Sequence, residues 1–419
     1  MTPGGAPSAL ERLSLDDLDP VELSGRRVLV RVDFNVPLEG AGGKRRVSSD
    51  ARIRAALPTI ETLLERGSAV VLASHLGRPK GPDPELTMEP VAKRLEELLG
   101  RAVAYSPDSL EGGLVPGRGD RGDRGVVLLE NLRFDAGEKA NDPAFAKRLA
   151  SLADLFVQDA FGTCHRAHAS TVGVTEHLDP CVAGKLVQRE LAAFRRLLES
   201  PGRPFVAILG GAKIAGKLET LRGLLERCDR VCLGGGMANT FLLAAGNEVG
   251  DSLVEPDLVE EARSLLERHG RSLELPVDVV VARELAAGAE SRTVAAEAVE
   301  PGWKILDAGP RTVEAFGARV RSAGTVFWNG PLGVFETPPF DAGTRAFAER
   351  MAAATQAGAY TVVGGGDSIA AIEEAGRLSD VRHASTGGGA ALELVSGVTL
   401  PGIAALDPPR GGRRSPEEP

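Results

Sequence analysis

The sequence has little cysteine, few aromatic residues and no long apolar run. Four cysteines among 419 residues are too few for a disulfide framework, and their spacing matches no zinc signature. No apolar run reaches the ~18 residues that a membrane span requires. The N-terminal residues lack a basic start followed by an apolar stretch, so we expect no secretory signal. These absences favour a protein of the reducing cytosol.

The chain also lacks an excess of positive charge. It has 49 Lys and Arg against 58 Asp and Glu, which gives a formal net charge of −9. We therefore do not expect nucleic acid or an anionic membrane surface as its main partner. Small anionic ligands remain compatible, because a local basic cluster can form within an acidic protein. At about 150 residues per domain, the length predicts two or three domains.

Short apolar runs alternate along the chain with longer amphipathic segments. Segments such as MEPVAKRLEELL and LVEEARSLLERH repeat apolar residues at three- and four-residue spacing, which predicts helices. The alternation predicts an α/β fold with parallel sheets covered by helices. The predicted strands lie in the segments RVLVRVDFN, AVVLASHL, GVVLLENLRF, ADLFVQDAF, FVAILGGAK, RVCLGGGM, PVDVVVA, TVFWNGP and YTVVGGG.

A domain boundary is expected where the segment LVQRELAAFRRLLES, a predicted helix, is followed by PGRP. The interpretation is an N-terminal domain over 1–185, a joining helix over 186–202 and a C-terminal domain over 203–395. Residues 396–419 form a C-terminal segment whose end is rich in Pro, Gly and charge, a composition typical of disorder.

The residues that follow the predicted strands differ between the two halves. Ligands of open α/β sheets bind beyond the carboxyl ends of the strands, so these positions are informative. One arginine alone is more often a surface ion pair, but repeated cations favour a small polyanion. Repeated glycine turns before helices favour a nucleotide, because their backbone N–H groups can approach phosphate. The first half carries Arg31, Asp33, Asn35, His75, Arg78, Arg133, His165, Arg166 and His168, and the second carries Gly210–Gly211, Gly234–Gly236, Gly364–Gly366 and Gly387–Gly389.

Four further residues suggest phosphate chemistry in the second half. Lys213 and Lys217 follow the strand FVAIL, and if a helix begins there they share one face and suit phosphate groups. Asp367 follows a glycine turn and is either a helix cap or a ligand of Mg²⁺ beside a nucleotide. Glu336 is either an ordinary surface acid or an acceptor for ribose hydroxyl groups.

Two glycine motifs are near matches, of which we reject the first. The segment GRGDRG at 117–122 precedes a predicted strand, whereas a dinucleotide fingerprint follows one. Residues 211–217 spell G-x-x-x-x-G-K, but Leu218 stands where a P-loop has Ser or Thr. Two alternatives stay open: a P-loop NTPase, and a non-catalytic protein that binds a phosphorylated acid but no nucleotide.

Nine motifs, in the same order along the chain, resemble those of the phosphoglycerate kinase family. They lie within residues 25–403 and so cover nearly the whole sequence. The motifs are RVDFNVP (31–37), HLGRP (75–79), LLENLRF (128–134), DAFGT-x-HRAH (159–168), GGAK-x-x-x-K (210–217), GGGMA (234–238), WNGP-x-GVFE (328–336), GGGDS (364–368) and STGGGA-x-LE (385–393).

The resemblance implies two Rossmann-like lobes, each a parallel sheet flanked by helices, joined by a hinge helix. It implies reversible phosphoryl transfer from 1,3-bisphosphoglycerate to ADP, giving 3-phosphoglycerate and ATP, by in-line transfer after hinge closure. The N-terminal lobe would bind the glycerate, and the C-terminal segment would return to that lobe. The C-terminal lobe would bind Mg-ADP or Mg-ATP. A cytoplasmic monomer is expected.

The resemblance also implies roles for individual residues. The catalytic residues would be Arg52, Lys213, Lys217, Gly366 and Gly388. The glycerate would contact Asp33, Phe34, Asn35, Arg52, His75, Leu76, Gly77, Arg78, Arg133 and Arg166. The nucleotide would contact Gly211, Lys213, Lys217, Gly235, Gly236, Asn329, Pro331, Val334, Glu336, Gly365, Gly366, Asp367 and Ser368. Mg²⁺ would be held by Asp367.

Overall fold

The chain divides into two compact units in the computed structural model, which describes residues 10–40, 45–107 and 125–410. The first unit contains the described residues up to Ala192 and those from Thr399 onwards, and the second unit is Ala193–Val398. The segment GRGDRG, the first nine residues and the end expected to be disordered, 411–419, lie outside the described residues.

The first unit is built on a six-stranded parallel sheet. Its strands are β1 (Arg27–Val32), β4 (Ala69–Ala73), β5 (Val103–Ser106), β6 (Val126–Leu129), β7 (Leu155–Asp159) and β8 (Cys181–Ala183), in the order β5-β6-β4-β1-β7-β8. A small antiparallel hairpin joins β2 (Leu38–Glu39) to β3 (Arg46–Val47). Its helices are α1 (Pro20–Leu23), α2 (Ala51–Glu65), α3 (Glu89–Leu99), α4 (Ala136–Ala140), α5 (Pro143–Ala150) and α14 (Pro401–Ala404).

The second unit repeats this arrangement with a different strand order. Its parallel sheet contains β9 (Phe205–Leu209), β10 (Arg230–Leu233), β11 (Leu273–Glu274), β15 (Thr325–Asn329), β16 (Tyr360–Gly364) and β17 (His383–Ser385), in the order β11-β10-β9-β15-β16-β17. An antiparallel sheet contains β12 (Asp278–Ala282), β13 (Ser291–Ala295) and β14 (Lys304–Ala308). The helices are α7 (Leu218–Arg227), α8 (Gly235–Ala244), α9 (Val259–His269), α10 (Pro310–Arg321), α11 (Ala342–Gln356), α12 (Gly366–Glu374) and α13 (Gly389–Val395).

The predicted α/β class is confirmed. One of the predicted strands lies outside both parallel sheets. The apolar run FVAIL forms β9, which is buried along its whole length between parallel neighbours. The run PVDVVVA forms β12, but this strand pairs antiparallel with β13 and β14. A short apolar run predicts a buried strand and not its direction. Among the described residues, no helix has the length and apolar character to cross a membrane.

The segment after Thr399 is held to the first unit by hydrogen bonds. The N–H of Leu13 donates to the carbonyl of Asp407 at 2.7 Å, and the N–H of Cys181 donates to the Asp407 carboxylate at 2.7 Å. The N–H of Gly402 donates to the carbonyl of Cys164 at 2.9 Å. Helix α6 (Lys185–Glu199) contains the boundary between the units, so it contributes residues to both.

Asp159, at the end of β7, holds the first turn of α6. Its Oδ1 accepts a hydrogen bond from the Leu186 N–H at 2.9 Å. Burial raises the pKa of Asp159 to about 7, although hydrogen bonds from Thr59 and Leu186 favour the ionised form. An unfolded Asp has a pKa of about 3.9, so between about pH 4 and pH 7 the native protein binds more protons here. Stability that this residue contributes at low pH is therefore lost as the pH rises to 7.

We expect Asp159→Asn to alter the pH dependence of unfolding. The amide keeps an acceptor for Leu186 and carries no charge, so the variant should gain free energy of unfolding relative to wild type between pH 5 and pH 8. Urea denaturation at the two pH values measures this gain.

Asp154→Asn is the control for that experiment. Burial of Asp154 is outweighed by hydrogen bonds from Arg27, which hold the pKa of this carboxyl below its ordinary value. Asp154 is therefore ionised throughout the pH window, and the difference between this variant and wild type should be the same at both pH values. A difference that is equally constant for Asp159→Asn would contradict the raised pKa of Asp159.

Candidate functional site

The first unit brings its sequence-predicted residues together at one edge of the sheet. Strand β1 pairs in parallel with β4 on one side and with β7 on the other, so the carboxyl ends of the three strands are adjacent. The residues that follow β1 are 33–35, those that follow β4 are 74–78, and those that follow β7 are 160–168. This edge is where a parallel α/β sheet binds ligands.

Two polar side chains of this edge are held by their neighbours. Arg52, from the start of α2, forms an ion pair with Asp33. Asn35 Oδ1 accepts from the Gly77 N–H at 2.8 Å and so links the loops after β1 and β4. Phe34 and Leu76 are buried, which places their side chains in the core under these loops.

Asn131 is a supporting residue that the sequence analysis missed. Its Oδ1 accepts from the Leu76 N–H at 3.2 Å, and its Nδ2 donates to the carbonyls of Leu76 at 2.8 Å and Leu86 at 2.9 Å. These bonds fix the loop that carries His75 and Arg78. The motif LLENLRF shows an asparagine at position 131, but no sequence pattern shows that it contacts Leu76, which lies 55 residues away.

The arginines of this edge differ in their partners. Arg133 donates from Nη1 to the carbonyl of Gly77 at 2.6 Å, and its buried Nε has no partner within the described structure. The side chains of Arg78 and Arg166 are exposed, and neither forms an ion pair or hydrogen bond with another described residue. Cations without anionic partners around one loop cluster favour an anionic ligand.

Two histidines near these arginines are neutral at physiological pH. Burial, reinforced by the charge of Arg31, lowers the pKa of His75 well below its ordinary value. Burial and the charges of Arg31 and Arg133 lower the pKa of His168 to about 4. The positive charge of this edge is therefore supplied by arginine, and the histidines contribute hydrogen bonds.

In the second unit the glycine turns follow β9, β10, β16 and β17, as expected from the sequence. The turns after β9 and β10 pack so closely that side chains would not fit. A Cβ atom on Gly210 would lie 1.9 Å from the carbonyl oxygen of Pro331, and one on Gly235, where φ is +65°, would lie 2.7 Å from the backbone nitrogen of Gly211. Backbone amides are thereby gathered at one edge of the sheet.

Lys213 and Lys217 lie on a loop before a helix and not on the helix itself. Helix α7 begins at Leu218, so the expectation that the two lysines share a helical face is wrong. Lys217 Nζ is 3.4 Å from the carbonyl oxygen of Gly210, and burial lowers its pKa against the opposing charge of Asp367. Lys213 is exposed and has no partner among the described residues.

Glu255 holds the backbone of this loop. Its carboxylate accepts hydrogen bonds from the backbone N–H groups of Ile214 and Ala215. Those two amides are therefore already bonded, whereas in a P-loop the backbone amides cradle phosphate. This contact disfavours the P-loop alternative. Sequence reasoning missed Glu255, which lies 41 residues beyond Ile214 and carries no motif.

A cavity of about 610 Å³ lies beside these turns, a size that suits a small-molecule ligand. The apolar side chains of Leu253 and Leu285 line it and are about half exposed. The sequence analysis named neither of these leucines. Of the residues expected to contact nucleotide, the cavity wall contains Gly211, Gly235, Gly236, Pro331, Val334, Glu336 and Asp367.

Asn329 and Ser368 are buried and connect the turns. Asn329 Nδ2 donates to the carbonyl of Gly364 at 2.9 Å and lies 3.5 Å from that of Gly388. Ser368 Oγ accepts from the Gly330 N–H at 2.6 Å. Both side chains thus hold the backbone of neighbouring turns, including the turns that contain Gly365, Gly366 and Gly388.

Asp367 fits a magnesium ligand by its chemistry. It lies in the first turn of α12, is exposed, and forms no hydrogen bond or ion pair with another described residue. One carboxylate completed by phosphate oxygens is the ligand set that Mg²⁺ takes in nucleotide sites. Over the described part of the chain, no group of three or more His, Cys, Asp or Glu side chains could hold a metal ion.

The chain is similar to known proteins over most of its length. The family model described as phosphoglycerate kinase matches residues 16–398. The phosphoglycerate kinase of Synechococcus elongatus is 51% identical over 402 residues, which cover 95% of this chain and 99% of that protein. The phosphoglycerate kinase of Chloroflexus aurantiacus is 52% identical over 399 residues, covering 92% and 97%.

Solved structures show the same likeness. The phosphoglycerate kinase of Coxiella burnetii superposes with a TM-score of 0.81 at 40% identity, covering 94% of this chain and 98% of that one. That of Pyrococcus horikoshii OT3 superposes with a TM-score of 0.79 at 33% identity, with the same coverage.

We expect Glu255→Ala to free the backbone of the loop that carries Lys213 and Lys217, here called the lysine loop. Hydrogen bonds to a charged acceptor are worth about 1.5–3 kcal/mol, so exchange of the Ile214 and Ala215 amide hydrogens should accelerate roughly tenfold or more. Native-state hydrogen exchange followed by NMR measures this rate. Asp257→Ala removes a nearby exposed carboxylate and should leave both rates unchanged. Equal rates in the two variants would show that Glu255 does not hold the loop.

Proposed function

The chain belongs to the phosphoglycerate kinase family, and from this premise we propose how its two units perform the reaction. The enzyme transfers a phosphoryl group reversibly between 1,3-bisphosphoglycerate and ADP, giving 3-phosphoglycerate and ATP. The acceptor in the reverse direction is a carboxyl group.

The first unit binds the glycerate substrate. The observation that carries this assignment is the pair of exposed arginines, Arg78 and Arg166, which lack an anionic partner among the described residues. They border the loop ends that also carry His75, Asn35 and Arg133. A phosphorylated carboxylic acid supplies the several negative charges that such a cluster would neutralise. Asp33, Phe34, Leu76, Gly77 and Arg52 complete the proposed substrate site, Arg52 being held by its ion pair with Asp33.

The second unit binds the nucleotide. Its cavity of about 610 Å³ has apolar walls at Leu253 and Leu285, which suit a base, and Glu336 on its rim suits ribose hydroxyl groups. The turns at Gly365–Gly366 and Gly388, with Lys217, suit the phosphates. We place Asp367 as the residue that would hold Mg²⁺, which when bound neutralises phosphate charge during the transfer.

The transfer step needs positioning and charge neutralisation more than it needs a nucleophilic side chain. A β-phosphate oxygen of ADP forms the new bond to phosphorus, and the bond from phosphorus to the acyl oxygen breaks, leaving the carboxylate of 3-phosphoglycerate. We propose that Arg52 and Lys213 neutralise charge on the phosphoryl group in flight, and that the backbone at Gly366 and Gly388 donates hydrogen bonds to it.

The substrates bind to different units, so transfer is proposed to require hinge closure about α6. Closure would also exclude water from the acyl phosphate, which otherwise hydrolyses. We further propose that the protein acts as a monomer in the cytosol. All four cysteines are buried and carry free thiols, which supports a reducing compartment.

We expect Lys213→Ala to lower kcat by about 10²–10³-fold while the KM for ADP changes little. The reason is that the ammonium group would act mainly on charge present in the transition state. Steady-state assays of ATP formation from 1,3-bisphosphoglycerate and Mg-ADP measure both constants. Lys147→Ala, on the exposed side of α5, is the control and should match wild type. A raised KM with an unchanged kcat would instead assign Lys213 to ground-state binding.

Small-angle X-ray scattering should show a smaller radius of gyration when both substrates are bound. The measurement compares the free protein, each binary complex and the complex with 3-phosphoglycerate and a non-hydrolysable Mg-ATP analogue. Compaction is expected chiefly in the ternary complex, because closure joins the two occupied sites. A radius that does not fall in the ternary complex would contradict the closure step.

A further inference from the structure

A buried row of polar side chains lies beneath the proposed glycerate site. Arg31, in β1, is 1% exposed, and Glu138, in α4, is fully buried. Neither residue is part of the proposed contacts to substrate. A buried arginine and a buried glutamate are costly to desolvate, so the function of this pair requires an explanation.

Hydrogen bonds connect Arg31 to Glu138 through a serine. Arg31 Nε donates to Ser170 Oγ at 2.8 Å, and Ser170 Oγ donates to Glu138 Oε1 at 2.6 Å. The Ser170 N–H donates to Glu138 Oε2 at 3.0 Å. The direction of these bonds is fixed, because a guanidinium group only donates and a carboxylate only accepts. The Arg31 side chain is therefore held in one orientation.

The far end of the Arg31 guanidinium group contacts His75. Arg31 Nη2 lies 3.1 Å from His75 Nδ1, and His75 is 4% exposed. Since Arg31 has no acceptor to offer, Nδ1 must be the unprotonated nitrogen of the ring. The single proton of a neutral imidazole then resides on Nε2. A doubly protonated ring would oppose two N–H groups and two positive charges at this contact.

The other charged groups around His75 act in the same direction. After burial and Arg31, the charges of Arg133 and Arg52 further lower the pKa of His75. Glu138 accepts from Ser170, so its carboxylate is engaged on the far side of that serine from Arg31. His75 thus stays neutral in a cluster rich in arginine.

We propose that Arg31, oriented by Ser170 and Glu138, is a positioning residue that fixes His75 as the neutral tautomer protonated at Nε2. His75 then meets the anionic substrate as an oriented hydrogen-bond donor and not as a cation. The last step rests on the proposed glycerate site, whereas the tautomer does not.

Nitrogen-15 NMR of the ligand-free full chain tests the tautomer directly. Long-range proton–nitrogen correlations distinguish protonated from unprotonated ring nitrogens, and His75→Leu assigns the His75 signals among the six histidines. Wild type should show Nε2 protonated and Nδ1 unprotonated from pH 6 to pH 8. In Arg31→Met the signals should shift towards a mixture of tautomers. Ser170→Ala, a milder change, should show a smaller shift of the same sign.

Kinetics test the link to substrate. Arg31→Met should raise the KM for 3-phosphoglycerate about tenfold and leave the KM for ATP within about twofold. Arg26→Met, an exposed arginine that precedes β1, is the matched control and should leave both constants unchanged.

Two results would contradict different parts of the proposal. A wild-type His75 protonated at Nδ1, or at both nitrogens at pH 7, would overturn the positioning role of Arg31 whatever the kinetics. An Nε2-protonated His75 together with an unchanged KM for 3-phosphoglycerate in both Arg31→Met and His75→Leu would overturn the proposed glycerate site instead.

Discussion

The parallel direction of the strands is the constraint on which both proposed sites depend. In a parallel sheet every strand ends at the same edge, so residues that are far apart in sequence meet there. In the first unit this edge gathers residues that follow β1, β4 and β7, and in the second it gathers the glycine turns that follow β9, β10, β16 and β17. The same geometry therefore serves two different chemistries, because cations occupy the loops of one sheet and glycines those of the other.

Each site is held by polar contacts from residues that do not themselves meet a substrate in the proposed mechanism. Glu255 occupies two amides of the lysine loop, and Asn131 fixes the loop that carries His75. Such contacts keep charged side chains in place before ligand arrives, which lowers the ordering cost of binding. The exposed cations Arg78, Arg166 and Lys213 cost little while they are solvated, and they can gain a partner when an anion binds.

The sequence was most informative where a single segment decides the structure. The run FVAIL predicts β9, because a strand covered on both faces needs no polar residues, and the glycine clusters predict turns that only the smallest residue permits. The sequence was least informative where the local structure depends on a residue that is distant along the chain. The loop before α7 is bonded to Glu255 across 41 residues, and the direction of β12 depends on its partners β13 and β14. No local pattern encodes either contact.

The role of histidine in the proposed anion site follows from the same long-range contacts. His75 could be recognised from the motif HLGRP as a residue of the site, and a histidine among arginines suggests another cation. The structure favours a neutral His75 instead, because the buried guanidinium group of Arg31 lies at hydrogen-bond distance from one nitrogen of its ring. Adding a positive charge there would cost desolvation and repulsion, whereas a neutral donor costs neither. The positive charge of such a site is best supplied by exposed arginines, which water can solvate. A buried neutral group such as His75 is better suited to orient the ligand.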